Sequence, residues 1–401
     1  MKRVTHIILS IMFLYFGGSL LAQNDLGFRE NTASKLMYSD KKFTIGGYGQ
    51  IDYNQPFGDN KIQNGNLDVH RIILMVGYRF NSKFNFITEF EIEHVTEFYI
   101  EQAFLNYTVN TYIQIRGGLM LVPMGIINEY HEPPTFNSVE RPLIDKYISP
   151  TTWREIGAGI TGTIPELSIR YQSYLMNGFS SFNGRPLLSG SDGLRNGRQK
   201  GAKSIIRTPV LASRIEYFGV LGLNLGLSAY LGNTQSSLFK DLDKEDNNEL
   251  ITADSSVVKV NMFGFDAHYQ KRGIQLSVQT YYATLSNTLQ YNYFTSSDNV
   301  ANDVGSSIYG YYVEAGYNVF QEVNKLKSEL IAFVRYSAFN TQNTVEEGIL
   351  KNTAYNRQVI TAGINWKPLS ELALKADFQL HKSEQDDVFS KVFNAGIAIW
   401  L

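Results

Sequence analysis

Strict two-residue alternation of apolar and polar side chains runs through most of this chain and constrains its fold more than any other feature. Leu221, Leu223, Leu225, Leu227, Ala229 and Leu231 are interleaved with Gly222, Asn224, Gly226, Ser228 and Tyr230. Leu372, Leu374, Ala376, Phe378 and Leu380 alternate with Ala373, Lys375, Asp377, Gln379 and His381. Ile72, Leu74, Val76, Tyr78 and Phe80 stand opposite Arg71 and Arg79, and Phe84, Phe86, Thr88, Phe90 and Ile92 face away from Glu89, Glu91 and Glu93. Successive side chains on a strand point to opposite faces, so each segment carries one apolar face and one small or polar face.

One such strand also fits an ordinary half-buried sheet. About sixteen of them, each of roughly 10–14 residues, have the length that tilted membrane strands need. They fall near 43–53, 67–80, 83–94, 98–108, 112–121, 154–164, 166–176 and 208–218, then 220–232, 257–270, 273–286, 307–319, 327–339, 354–366, 371–382 and 390–401. Tight turns at Asn81-Ser82, Asn110-Thr111, Pro165, Gly219 and Lys271-Arg272 alternate with long connections at 54–66, 122–153, 177–207, 233–256, 287–306 and 340–353. Short turns on one side and long loops on the other predict an all-β fold, a 16-stranded antiparallel transmembrane β-barrel. After Gln23 no apolar run approaches the roughly 18 residues of a membrane helix, and a closed barrel is the other structure that satisfies its backbone in lipid.

Residues 1–22 read as a signal peptide, with Lys2-Arg3, an apolar run from Ile7 to Phe16 and small residues leading to Ala22. Residues 23–42 are expected to be a short, flexible periplasmic lead-in with at most one short helix, and 43–401 the barrel. The expected location is the bacterial outer membrane, with outer-membrane lipid and lipopolysaccharide as surroundings. Trp400 near the chain end reads as part of an assembly signal or as an interfacial girdle residue.

Composition removes other classes. There is no Cys, so disulfides, thiolate metal sites and cysteine nucleophiles are excluded. With 36 basic against 38 acidic side chains the formal charge is -2, and no basic footprint for nucleic acid is present. His6, His70, His94, His131, His268 and His381 are scattered without ligand spacing, and neither a nucleophile elbow nor a phosphate-cradling loop occurs. No catalytic residue, cofactor or metal is therefore expected. The acidic stretch Asp241–Glu249 lacks the turn glycine of a calcium loop and reads as solvated.

Connection 122–153 is the most informative loop. It holds five of the ten prolines together with Glu129, Glu132, Glu140, Arg141, Asp145 and Lys146. A long, proline-stiffened, charged segment after the fifth strand is placed to fold into a lumen. Its surroundings carry Glu101-Gln102-Ala103-Phe104-Leu105, Arg116-Gly117-Gly118-Leu119-Met120-Leu121-Val122-Pro123-Met124-Gly125, Val139-Glu140-Arg141-Pro142-Leu143 and Arg154-Glu155-Ile156-Gly157-Ala158-Gly159. In these residues, and from Ile45-Gly46-Gly47-Tyr48-Gly49 to the C-terminus, the chain resembles the phosphate-selective porin O and P family. The resemblance implies a 16-stranded outer-membrane pore, usually a homotrimer, with an inward-folded third loop narrowing the lumen.

Strand parity turns Arg71, Arg79, Arg116, Arg170 and Arg214 inward, and with them Glu89, Glu91, Glu93, Glu155 and Glu216. With the loop residues these are the expected pore-lining set. Acid near a poorly screened constriction opposes anion entry. The expected function is passive diffusion of small hydrophilic solutes or ions, with anions including phosphate among the candidates. A plugged or accessory barrel, serving as a partner or adhesion platform of a surface complex, is the alternative.

Overall fold

The computed structural model describes residues 31–58, 62–323 and 327–401, so the expected signal peptide lies outside the described residues. Among these residues sixteen antiparallel strands close into one barrel. They are β1 Phe43–Phe57, β2 Asn66–Arg79, β3 Phe84–Glu93, β4 Glu97–Thr108, β5 Gln114–Leu121, β6 Arg154–Ile164, β7 Ile169–Met176 and β8 Val210–Val220. The second half is β9 Leu223–Asn233, β10 Lys259–Lys271, β11 Ile274–Ser286, β12 Ser307–Asn318, β13 Glu329–Thr344, β14 Asn356–Leu369, β15 Leu372–Ser383 and β16 Ser390–Trp400. Each strand pairs with its sequence neighbours, and β1 closes the sheet on β16 with Tyr48 opposite Trp400 and Phe57 opposite Lys391. Closure removes the free edges that an open sheet would expose.

The alternation read from the sequence sorts side chains as expected. Ile72, Leu74, Ile156, Ile160, Leu227 and Phe263 are exposed on the outer surface, whereas Arg71, Asn224, Ser228, Lys375, Asp377 and Gln379 are buried inside. Strand bounds moved by only a few residues, most at the far end of β13. The long-and-short rhythm of the connections holds with two exceptions. Residues 94–96 are a tight turn on the long-loop side, and 319–328 lengthen the short side.

Within the expected lead-in, residues Thr32–Tyr38 form the one short helix allowed there, α1, capped by the Asn31 side chain accepting from Ser34 N at 2.9 Å. Ala33 and Met37 of this helix join Ile73, Met75, Ile87 and Phe104 in one buried apolar cluster. The strand residues in that cluster belong to the inner face. Burying them, at about 25 cal/mol per Å² of apolar area, holds the helix in the barrel.

Within connection 122–153 two short helices form, α2 Gly125–Glu129 and α3 Ile144–Tyr147. The other long connections pack on one another: Ser180–Phe182 pairs in parallel with Gln235–Ser236, and Tyr291 donates to Ser181 O at 2.8 Å from helix α5, Thr288–Phe294. The acidic stretch near 241–249 leads into helix α4, Asn247–Ser255, whose N-terminus Asp246 caps.

Candidate functional site in the barrel lumen

Connection 122–153 leaves β5 and returns at β6, with Val122 N bonded to Trp153 O at 2.9 Å across its neck. Between those points its partners are on the far wall. Ile126 N donates to Gln279 on β11 at 2.5 Å, and Asn137 donates to Glu314 on β12 at 3.0 Å. Arg335 on β13 donates to Ser138 Oγ at 2.7 Å, and Val139 N donates to Asp377 on β15 at 2.7 Å. Lys375, buried on β15, places its ammonium on three main-chain carbonyls, those of Pro133 at 2.6 Å, Phe136 at 2.7 Å and Ser138 at 3.0 Å. A segment rich in proline has few N–H groups to satisfy in such a place, and its spare carbonyls take the lysine.

Asp145 is held the same way, accepting from Gln279 Nε2 at 2.8 Å and from Tyr281 at 3.1 Å. Burial raises its carboxyl pKa from 3.8 to about 7. The folded state therefore holds the proton more tightly than the unfolded chain, and stability contributed here falls as pH rises from about 4 through about 7. Asp145→Asn keeps the accepting oxygen and removes that loss. The variant is expected to match the parent in thermal midpoint near pH 4 and to exceed it above pH 7. Equal midpoints at both ends would contradict this.

The inward arginines are divided among different partners. Arg71 is paired with Glu91 at 3.2 Å and Glu93 at 3.4 Å on the adjacent strand. Arg170 bridges Glu216 at 2.5 Å and Glu129 at 2.9 Å, and Arg214 grips Asp266 at 2.5 Å and 2.9 Å with Glu216 at 3.3 Å. Arg116 lies beside α1, near Met37 and Tyr174, and Arg79 pairs with Asp40 at 3.6 Å near its strand end. Both stand apart from the charged cavity described below. Glu155 is capped by Trp153 and Asn177. Most of the acid counted in the sequence is thus tied up beside a guanidinium or a donor.

Glu132 is a junction. It accepts from Thr32 N at 2.6 Å, Thr32 Oγ1 at 2.9 Å and Trp400 Nε1 at 2.7 Å, tying the N-terminal helix, the loop and the last strand together. Trp400 therefore faces the lumen, and the girdle reading is overturned. Its parity with Asn394 and Ala398 on β16 is the reason.

Outside this loop a cavity of about 490 Å³ is lined by Arg71, Glu91, Glu93, Glu140, Arg141, Asp145, Lys146, Arg154, Arg195, Arg198 and Lys200, among others. A second, of about 200 Å³, lies on the other side against Gln275, Glu314, Lys367 and Trp400. Pro142 lines both. Arg141, Lys146, Arg195, Arg198 and Lys200 form no ion pair among the described residues. Burial, then the neighbouring Arg195 and Arg154, lowers Arg198 to about 9, and burial followed by Arg71 lowers Arg141 to about 10. Lys200 is lowered by burial, Arg198 and Arg154. Cations that depress one another's protonation mark a positive potential. Glu140 enters the cavity too, but accepts from Asn54 at 3.1 Å.

Several contributors escaped sequence reasoning. Arg198 and Lys200 lie in an irregular loop, where no period points anywhere. Lys375 was legible as inward but not as a loop anchor. Glu101 was hidden by a bulge: the β3–β4 register shifts between Glu89 and Phe90, and both Glu101 and Gln102 end up buried. Two successive polar residues in an alternating strand are the signal that parity breaks there. The fold also gathers Glu89, Glu101 and His131, whose ligand spacing the sequence does not display.

A closed barrel, apolar outside and charged within, with an interior loop and an electropositive entry, is built as an outer-membrane channel and not as an enzyme. The chain belongs to the phosphate-selective porin O and P family, whose model matches residues 43–390. An uncharacterised protein of Aquifex aeolicus (strain VF5) is 30% identical over 384 residues, covering 92% of this chain and 82% of that one. Two solved structures share the fold. The outer-membrane channel DcaP of Acinetobacter baumannii has a TM-score of 0.59 at 11% identity, covering 90% of this chain and 97% of that one. An anion-selective porin from Comamonas acidovorans has 0.53 at 10%, covering 90% and 99%.

Proposed function

We propose that this outer-membrane channel passes small hydrophilic anions by passive diffusion, past a lumen narrowed by connection 122–153. The observation that carries this reading is the imbalance at the outer cavity. Among the described residues Arg141, Lys146, Arg195, Arg198 and Lys200 line it without carboxylate partners, whereas the lumen acids are neutralised nearby. A cleft with low-dielectric walls and one sign of charge concentrates counter-ions at its mouth. Phosphate falls within this class, and nothing in the cavity singles it out over other anions. A homotrimer is the assembly that the family resemblance supports, with lipopolysaccharide around its outer rim.

In a planar bilayer with asymmetric KCl, the reversal potential is expected to show chloride preference. The double variant Arg198→Gln with Lys200→Gln is expected to move it towards zero. A cation-preferring sign in the parent would end this reading. The helix docked in the barrel favours a second one, a channel that rests closed. Absence of conductance in the parent, with conductance appearing once 31–38 is deleted, would select it.

A further inference from the structure

We propose that Glu89, Glu101 and His131 form a binding site for a divalent transition-metal ion of the Zn²⁺ class, clasping connection 122–153 to the β3–β4 wall. The donor atoms are His131 Nε2, Glu101 Oε2 at 3.2 Å from it and Glu89 Oε1 at 3.5 Å. Zinc bonds to nitrogen and oxygen of about 2.0–2.2 Å in a tetrahedron give ligand-to-ligand edges of about 3.4 Å. The three groups come from two strands and the loop, and all are buried.

Each donor is oriented from behind, as ligands of a metal are. His131 Nδ1 lies 3.1 Å from Asn128 O, a pure acceptor, so the ring presents Nε2 to the carboxylates. Glu89 Oε2 is held by Gln102 Nε2 at 2.6 Å, which leaves Oε1 facing the imidazole. Glu101 Oε1 takes Arg154 Nη1 at 3.2 Å and the Thr152 hydroxyl. Its other oxygen, Oε2, is fully buried and faces His131 Nε2 at 3.2 Å, and the Glu91 carboxyl is a further hydrogen-bond partner of Glu101.

The proton balance is explicit. Tyr48 stands 2.7 Å from both Glu89 Oε1 and His131 Nε2. Its one hydrogen goes to the carboxylate, so Nε2 carries a proton towards the phenol oxygen. The metal ion replaces that proton, and binding releases it to solvent. Tyr48 is then a fourth donor or a hydrogen-bond partner of the bound carboxylate. Thr152 and Arg154, which hold Glu101 Oε1, form part of the outer cavity's wall.

A second gathering, Asp52, His70 and Glu140, is chemically different. Arg71 Nη2 lies 2.7 Å from His70 Nε2 and can only donate, so Nδ1 holds the ring proton and gives it to Asp52 at 2.7 Å. Both ring nitrogens are committed, one of them to a guanidinium. That cluster serves as the internal control.

The test uses the full-length barrel, refolded with ZnCl₂ and dialysed against metal-free buffer. Mass spectrometry of the metal is expected to find one Zn²⁺ per chain, and Co²⁺ in its place is expected to give the visible absorption of a tetrahedral site. His131→Gln and Glu101→Gln should each weaken binding more than about 10-fold, and Gln102→Leu roughly 10-fold, whereas His70→Gln leaves it unchanged. Heat-modifiable mobility on gels identifies the variants that still close their barrel. Zinc-edge X-ray absorption on the unmutated protein, expected to show one imidazole among oxygen donors, needs no variant. No retained zinc in the parent, or retention abolished by His70→Gln and untouched by His131→Gln, overturns the proposal. Conductance is not the readout, so such a failure leaves the channel reading standing.

Discussion

Replacing Lys375 by methionine is expected to free the middle of connection 122–153 and to turn a steady conductance into a larger, noisier one. The ammonium holds the carbonyls of Pro133, Phe136 and Ser138, and it sits over the Phe136 ring with Nζ 4.1 Å from the centroid. Hydrogen bonds to a charged group contribute roughly 1.5–3 kcal/mol each, and loss of the lysine's own desolvation cost offsets part of their sum. A net loss of about 3 kcal/mol falls on one loop and not on the sheet. The barrel should therefore still form, with its heat-modifiable mobility intact. Single-channel recording decides: an unchanged current, with unchanged open-state noise, would show that this lysine does not restrain the loop.

Arg214→Ala is the largest stability effect expected. Arg214 is almost completely buried and joins Asp266 by two bonds, Glu216 by one, and approaches Glu129 at 3.7 Å. Its removal leaves three carboxylates against Arg170 alone, and breaking such a buried pair costs about 3–5 kcal/mol. Arg214→Lys should recover only part of this, because an ammonium lacks the planar fork that spans Asp266 and Glu216. The check is the thermal midpoint of the detergent-folded barrel. Equal midpoints for the alanine variant and the parent would mean that the network carries no net stability.

Much of the architecture was legible because it is local and periodic. Strand parity assigned Arg71, Glu89, Glu91, Arg170 and Arg214 to the lumen, and their burial agrees. Parity does not say which partner each will meet. Arg71, Arg170 and Arg214 became ion-paired because their partners come from neighbouring strands and from Glu129 in the loop. The run Ile72-Ile73-Leu74-Met75-Val76 is apolar on both faces, a sign of a strand covered from both sides. Read that way, it announces the helix that docks there.

The sequence by itself determined the sixteen-stranded sheet, its apolar outer surface and the side on which the long connections lie. These follow from two-residue periodicity, turn chemistry and proline placement, all of which act over a few residues. Only the tertiary structure decided where α1 docks, which carboxylates are neutralised, and which cations are left to line the outer cavity. It also decided that Glu89, Glu101 and His131 converge, through a one-residue bulge and a loop anchored on the opposite wall. Those outcomes depend on contacts between residues tens to hundreds of positions apart, and no local period encodes them.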